Sequence, residues 1–386
     1  MRILITTEQY PPEVSGVGAV AHGFATALAA RGHGIFVLAT RRGHSEWREE
    51  EEGVRVRGVA GASPRILKML PISGALCSIL RSQRPDVVFA SAYRPTGLPA
   101  AFLARRMAIP VVFYVHGTEF LTERRNPVRR ALLRHACRHV KALVANSHNT
   151  ARLVHEIVGP LKTAVEVIHP GIFVGCFAPV AEPEGSPVIL TLSRLARRKG
   201  VDLVLRAAAQ LRAGEFGDLK VVVGGDGPSR EELHALARAL GIWDSVEWLG
   251  SVPRERVPAV ISRSTLFVLA SREDPLDLES FGIVYLEAGA VGRAVVGARV
   301  GGVSEAVLDG QTGLLVSPDS PDALAKAIGD LLRDPARRCR LGQEGRRRAE
   351  EMDWSLQAQR LEAAFEKTLG PHAHSESRRS TRALPQ

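Results

Sequence analysis

The sequence predicts an α/β fold made of two doubly wound, parallel-sheet domains in series. Three observations carry this. The chain has 386 residues, more than one ordinary domain holds. Apolar runs of four to six residues alternate with helix-length segments, the pattern of strands buried on both faces of a parallel sheet. The alternation lapses once, in the Pro/Glu/Gly-rich stretch Phe177–Ser186, and then restarts. Two Rossmann-like domains follow from this, residues 1–178 and 187–352, facing a central cleft. A C-terminal helix over 353–370 is expected to pack back on the first domain. The polar, Ser/Arg-rich tail 371–386 is expected to be disordered.

Taken in order, the first half offers strands at Arg2–Thr6, Ile35–Ala39, Val54–Gly58, Asp86–Ala90, Val111–Val115, Ala142–Ala145 and Val165–Ile168. Helices are expected between most of them, at Val17–Ala30, Ile66–Arg81, Thr96–Arg106, Pro127–Arg138 and Ser147–Ile157. The second half offers strands at Val188–Leu192, Leu219–Val223, Val246–Leu249, Leu266–Leu269, Ala294–Val296 and Gly313–Val316. Its helices are Val201–Arg212, Ser229–Leu240, Ile283–Gly292, Pro321–Leu332, Ala336–Met352 and Trp354–Thr368, with Asp353 a natural cap for the last.

Composition narrows the class. No stretch approaches 18 uninterrupted apolar residues, so no membrane-spanning helix is expected. The run Met1–Thr6 is too short for a signal peptide and reads as a first buried strand; a cytoplasmic location, peripheral at most to a membrane, is expected. Cys77, Cys137, Cys176 and Cys339 are scattered, without metal-ligand spacing, as in a reducing compartment. The net charge of +10 is uneven: residues 1–180 carry 23 Lys and Arg against 12 Asp and Glu. An anionic partner on that half is implied. Aromatic residues do not interleave with the basic ones, so nucleic acid is not expected.

In open α/β sheets ligands bind on the loops after the strands. The stretch Glu279-Ser280-Phe281-Gly282-Ile283-Val284-Tyr285-Leu286-Glu287 brackets seven uncharged residues with two carboxylates. On one regular helix the two would point roughly 80° apart. A loop-to-helix junction broken at Gly282 would aim both at one ligand, with the helix N-terminus between them for an anion. Ser193-Arg194-Leu195-Ala196-Arg197-Arg198-Lys199-Gly200 sits between a strand and a helix, where Arg194 and Lys199 can clamp a diphosphate; a solvated charge run is the plainer reading. Ser15-Gly16-Val17-Gly18 fits a phosphate-approach loop or a plain turn. His116-Gly117-Thr118-Glu119 puts a histidine at a strand end, structural or facing the ligand. Gly225-Asp226-Gly227-Pro228 and Gly301-Gly302-Val303-Ser304-Glu305 are tight turns into helices.

Together these motifs, in this order and over about residues 1–370, resemble the retaining glycosyltransferases of family 4, of GT-B architecture. The resemblance implies roles. Arg194 and Lys199 would hold the donor diphosphate and stabilise it as it leaves. Glu279 would bind the donor sugar's hydroxyls and Glu287 the ribose. Gly16, Phe281 and Gly282 would offer backbone N–H groups to the donor. His116 would sit against the sugar near the reacting carbon. The donor would be a UDP-, GDP- or ADP-sugar, transferred with retention to a saccharide, lipid-linked or small-molecule acceptor. No Asp-x-Asp triplet is present, so no metal or other cofactor is expected. The family usually has a Gly-Gly pair where this chain has Ser15-Gly16. An epimerase or phosphorylase of the same fold, and a binding protein without turnover, are the alternatives.

The basic half has its own candidate. Asn126-Pro127 caps and starts a helix on which Arg130, Arg134 and Arg138 form a stripe, with Leu133, Ala136 and Val140 on another face. Arg124, Arg125, Arg129 and Lys141 add charge. Over residues 124–141 two readings stand: a solvated face, and peripheral docking on anionic lipid at the inner face of a membrane.

Overall fold

In a computed structural model of the chain, the described residues are 1–370, apart from 14, 43–46, 62–68, 162–164 and 276. The tail 371–386 and the start of the helix expected from Ile66 lie outside them. The chain divides into two compact units: Met1–Gly171 together with the segment from Trp354 onward, and Ile172–Asp353.

The first unit is an eight-stranded sheet. Its strands are β1 (Arg2–Thr7), β2 (Gly34–Arg42), β3 (Trp47–Glu51), β4 (Val54–Gly61), β5 (Val87–Ala90), β6 (Val111–Val115), β7 (Ala142–Ala145) and β8 (Val165–Val167). The order is β3-β4-β2-β1-β5-β6-β7-β8, and every pairing is parallel except β3 with β4. The helices are α1 (Gly16–Ala30), α2 (Met69–Gln83), α3 (Leu98–Arg106), α4 (Thr118–Glu123), α5 (Pro127–His139) and α6 (His148–Val158). Alternate strand residues feed two cores, as the period of a strand requires. Val88, Ala90, Phe113 and Val115 pack with α2, α3, α5 and α6. On the other face Phe89 and Tyr114 meet Phe24 of α1 edge-on. The C-terminal helix Trp354–Leu369 completes that face: Trp354 lies 4.8 Å from Phe24 and Phe365 lies 5.8 Å from Phe89, centroid to centroid.

Strand β3 and helix α4 depart from expectation. Trp-Arg-Glu-Glu-Glu is too charged to read as a strand, yet it pairs as an exposed edge through a turn whose residues Glu52 and Gly53 both have positive φ. Helix α4 is six residues long, too short to show a period, and is held by buried Phe120 and Leu121.

The second unit is a six-stranded, wholly parallel sheet in the order β11-β10-β9-β12-β13-β14. Its strands are β9 (Val188–Leu192), β10 (Lys220–Gly224), β11 (Val246–Gly250), β12 (Leu266–Leu269), β13 (Ala294–Ala298) and β14 (Gly313–Val316). Its helices are α7 (Val201–Ala213), α8 (Arg230–Ala239), α9 (Val257–Ser262), α10 (Ile283–Ala290), α11 (Val303–Ala306), α12 (Pro321–Arg333) and α13 (Pro335–Glu351). Helix α9 contains Pro258 in its first turn, where proline starts a helix rather than breaking one.

The boundary differs from the sequence reading. Residues 172–186, expected to end the first domain and form a linker, belong to the second unit. Ile172 bridges Asp353, and Asp353 accepts the Val174 N–H at 3.1 Å. Phe177 is buried in the second core. Arg293 donates to the Val180 and Ala181 carbonyls, and Arg338 pairs with Glu182 at 2.6 Å. Proline and glutamate suggested a free segment; two arginines more than 100 residues away fasten it.

Candidate functional site

In the second sheet the chain runs outward from β9 through β10 to β11, then returns to β12 and runs outward the other way. The strand order therefore reverses between β9 and β12, and the loops after these two strands open a crevice at their carboxyl ends. The turn Arg197–Lys199 follows β9. Ser271, Arg272 and the loop to Glu279 follow β12.

There Glu279 is the focus. It is 9% exposed and forms an ion pair with Lys199. Arg198 approaches the same oxygen at 3.2 Å, and the Ser271 hydroxyl donates to it at 3.0 Å. Burial alone would raise the Glu279 pKa, but the cations Lys199 and Arg198 outweigh it and hold the carboxyl below its ordinary value. Arg198 also pairs with Asp277, so the site keeps two carboxylates and two cations at one spot, neutralising one another.

The junction expected at Gly282 is present. Glu279 lies on the loop, and α10 begins at Ile283 with Gly282 as its cap at φ +92°. A side chain at 282 would be strained at that φ and would meet the Tyr285 ring at 2.6 Å. First-turn N–H groups of a helix have no intrahelical acceptor, so the start of α10 offers donors beside Glu279. The Phe281 side chain is in the core, 1% exposed. Glu287 lies inside α10, 4% exposed, and is paired with Arg254 from the turn after β11. Arg254 also lies over the Phe177 ring, 5.9 Å from its centroid.

Arg194 stands apart. It is exposed, and among the described residues its guanidinium makes no ion pair. The structure brings Lys199 and Glu279 together with Arg198, Ser271 and, through Glu287, Arg254. Three of these were missed in the sequence. Arg198 was hidden in the run Arg197-Arg198-Lys199, where spacing cannot say which side chain turns inward. Ser271 and Arg254 belong to no motif.

In the first unit the order reverses between β1 and β5. Gly16, exposed, opens α1 after β1; Ser15 caps that helix by accepting the Gly18 N–H at 2.9 Å. A side chain at Gly16 would meet nothing within 4 Å, whereas one at Gly18 would strike Ser15 at 2.9 Å. Gly16 therefore leaves open space that packing does not need. His116, buried, follows β6, its Nε2 2.9 Å from the carbonyl of Ser91, the residue after β5. A carbonyl only accepts, so Nε2 carries the proton and Nδ1 is left an acceptor. Burial lowers the His116 pKa to about 4, so the ring is neutral at pH 7. Glu119 accepts the His116 N–H at 2.8 Å, and burial raises its carboxyl to about 7.

Helix α5 carries the basic stripe. Asn126 accepts the Val128 and Arg129 N–H groups at 3.0 and 3.1 Å, and Pro127 is in the first turn. Arg130 and Arg134 donate to the Ile157 carbonyl at the C-terminal end of α6. Two of the three stripe arginines therefore satisfy a helix end. Around them lies a cavity of about 530 Å³ lined by Arg124, Arg125, Arg130, Arg134, His135 and Arg138 among others, with no carboxylate in its lining. No helix among the described residues is long and apolar enough to cross a membrane.

Two doubly wound α/β units of this kind make up the GT-B architecture. The fold of sucrose-phosphate synthase from Thermosynechococcus elongatus matches with a TM-score of 0.81 at 20% identity, over 95% of this chain and 98% of that one. The model of Glycosyltransferase Family 4 matches residues 14–174, and that of Glycosyl transferases group 1 matches residues 177–348. The chain is 31% identical over 373 residues to the GDP-mannose-dependent alpha-(1-6)-phosphatidylinositol monomannoside mannosyltransferase of Mycolicibacterium smegmatis, covering 93% of this chain and 97% of that one. It is 32% identical over 369 residues to the D-inositol 3-phosphate glycosyltransferase of Kribbella flavida, covering 86% and 85%. The chain belongs to the family 4 (group 1) glycosyltransferases. Of the readings the sequence leaves open, transfer from a nucleotide-activated sugar is the one that holds.

Proposed function

We propose that this enzyme moves a hexose, with retention and without a metal, from a nucleoside diphosphate sugar to a hydroxyl of a phosphate-bearing, lipid-linked or cell-envelope acceptor. The observation that carries the reading is the cluster of Lys199, Arg198 and Glu279 against the start of α10. Cleaving a glycosyl–phosphate bond builds negative charge on the diphosphate and positive charge on the anomeric carbon. Fixed cations and helix N–H groups on the first act most strongly as the bond breaks. Lys199 and Arg198 supply the charge a divalent metal would otherwise bring, and exposed Arg194, on the loop between β9 and that turn, adds to it. Glu279 takes sugar hydroxyls and Glu287 the ribose diol. The backbone at Phe281 and Gly282 approaches the donor; Gly16 and His116, the latter a neutral ring, keep the roles that the family resemblance implies for them. The carboxylates Glu279 and Glu287 do not act as an acid/base pair, because one grips each end of the donor. The departing phosphate accepts the acceptor's proton.

The similarity to a mannosyltransferase and to D-inositol 3-phosphate glycosyltransferases makes GDP-mannose the first donor and inositol phosphates or their lipids the first acceptors to try. The arginine-lined cavity on α5 supports an anionic acceptor or peripheral contact with anionic lipid at the cytoplasmic face of a membrane. Nucleotide release is measured with UDP-, GDP- and ADP-sugars, with and without acceptor and with EDTA. Release that depends on acceptor and survives EDTA is expected; loss of all turnover in EDTA refutes metal independence. The anomeric configuration of the product, read by NMR, tests retention.

A further inference from the structure

Lys199 ends a three-residue turn, Arg197–Lys199, joined to α7 through Gly200 at its carboxyl end. Its other support comes from the loop after β12. Arg272, three residues beyond β12, reaches back beneath this turn. Its backbone N–H donates to the Arg198 carbonyl at 2.7 Å, and its Nη1 to the Arg197 carbonyl at 3.0 Å. The guanidinium is then fixed in turn. It binds both carboxylate oxygens of Asp202, in the first turn of α7, at 2.6 and 2.7 Å. Its Nε donates to Asp319 at 2.6 Å. The side chain is 18% exposed, so these bonds are only partly screened.

The neighbouring residues make the same join. Ser271 donates to Glu279, the partner of Lys199. Ala270 lies so close to Gly200 that a side chain at 200 would come within 1.8 Å of the Ala270 carbonyl. The exit of β12 thus meets the Lys199 turn directly at Arg272, packs beside Gly200 at Ala270, and reaches Lys199 through Glu279 at Ser271. Ala270 and Ser271 act through packing and through Glu279. Arg272 alone braces the turn with a charged side chain, and that side chain is aimed away from Glu279, at the turn's own carbonyls and at α7.

We propose that Arg272 is a positioning residue for glycosyl transfer: by fixing the carbonyls of Arg197 and Arg198 and tying them to Asp202, it holds the Lys199 ammonium where the leaving diphosphate develops its charge. The proposal rests on the reading of Lys199 given above. A cation displaced by about 1 Å from a developing charge costs on the order of 10²-fold in rate. Lysine at 272 keeps a charge near Asp202, but its three donors and single nitrogen cannot make the guanidinium's four bonds to Asp202, Asp319 and the Arg197 carbonyl.

The test is a double-mutant cycle of Arg272→Lys and Lys199→Ala, reading kcat, donor KM and melting temperature. Arg272→Lys alone should lower kcat roughly 10- to 100-fold with donor KM changed less than about threefold. In the Lys199→Ala background the same change should cost less than about threefold, because the group it positions is gone. An equal cost in both backgrounds, or no cost in wild type, overturns the proposal while leaving Lys199 its role. If Lys199→Ala itself leaves kcat intact, the reading of Lys199 falls and the proposal with it. Should Arg272→Lys not fold, Asp202→Asn, which loosens the guanidinium and keeps its carbonyl contacts, takes its place in the cycle. Its kcat loss must likewise vanish without Lys199; a loss that persists there overturns the proposal.

Discussion

Replacing Lys199 by alanine separates binding from chemistry in this enzyme. The Lys199 charge is balanced by Glu279. Its attraction for a resting donor is therefore modest, and its contribution grows as the sugar–phosphate bond breaks. Removing a fixed group that stabilises a developing anion costs about 10²–10³ in kcat, roughly 2.7–4 kcal/mol. Donor KM should rise by less than about tenfold. The fold should survive. Glu279 keeps Arg198 at 3.2 Å and the Ser271 hydroxyl at 3.0 Å, so the loss should fall below the roughly 3–5 kcal/mol of a buried pair left with no partner. Lys199 and Arg198 hold the Glu279 pKa below its ordinary 4.5. Its contribution to stability is therefore present above pH 4.5 and is lost as pH falls through the depressed value. In Lys199→Ala that loss should begin at a higher pH. Steady-state nucleotide release gives kcat and KM, and thermal melts from pH 3 to pH 8 give the stability curve. An unchanged kcat with a raised KM would refute the reasoning.

Glu287→Gln should weaken nucleotide binding about tenfold by calorimetry, since an amide cannot accept from both ribose hydroxyls; unchanged affinity would show that Glu287 does not hold the ribose. Glu119→Gln should stabilise the protein at pH 8 by up to about 3 kcal/mol relative to its effect at pH 5. The sign follows from a folded pKa raised to about 7 above the ordinary 4.5, which makes wild-type stability fall as pH rises between these values. Melts that show the same difference at both pH values would contradict it. Gly200→Ala should cost at least about 3 kcal/mol, from a φ of +64° and the approach to the Ala270 carbonyl; a melting temperature within a degree of wild type would disprove the close packing there. Anionic vesicles at low salt should co-sediment the protein and lose it when Arg124, Arg125 and Arg138 are changed to glutamate, and failure of the wild type to bind removes the membrane contact.

Much of this was legible in the chain alone. Strands β6, β7, β9 and β12 have the bounds that their apolar runs predict, because an interior strand buried on both faces leaves an uninterrupted signal. The junction at Gly282 was readable too, since two carboxylates on one helix could not converge and glycine was the residue able to break it. The edge strand β3 was not readable, because its charges serve the solvent side of an edge and mask the pairing. Nor was the attachment of residues 172–186 to the second unit, which depends on Arg293 and Arg338, distant in sequence.

The sequence by itself determined the two-unit parallel fold, the family, and the turn, loop and helix on which Lys199, Glu279 and Glu287 lie. Periodicity and motif spacing are local properties, and these follow from them. Only the tertiary structure decided that Arg198 rather than Arg194 joins Lys199 on Glu279, that Arg254 partners Glu287, and that Arg272 braces the turn from below. Each of these is a contact between segments more than 30 residues apart, brought together by the reversal of strand order between β9 and β12 or by the packing of α10. Which guanidinium meets which carboxylate is a matter of distance and burial, and those exist only once the chain has folded.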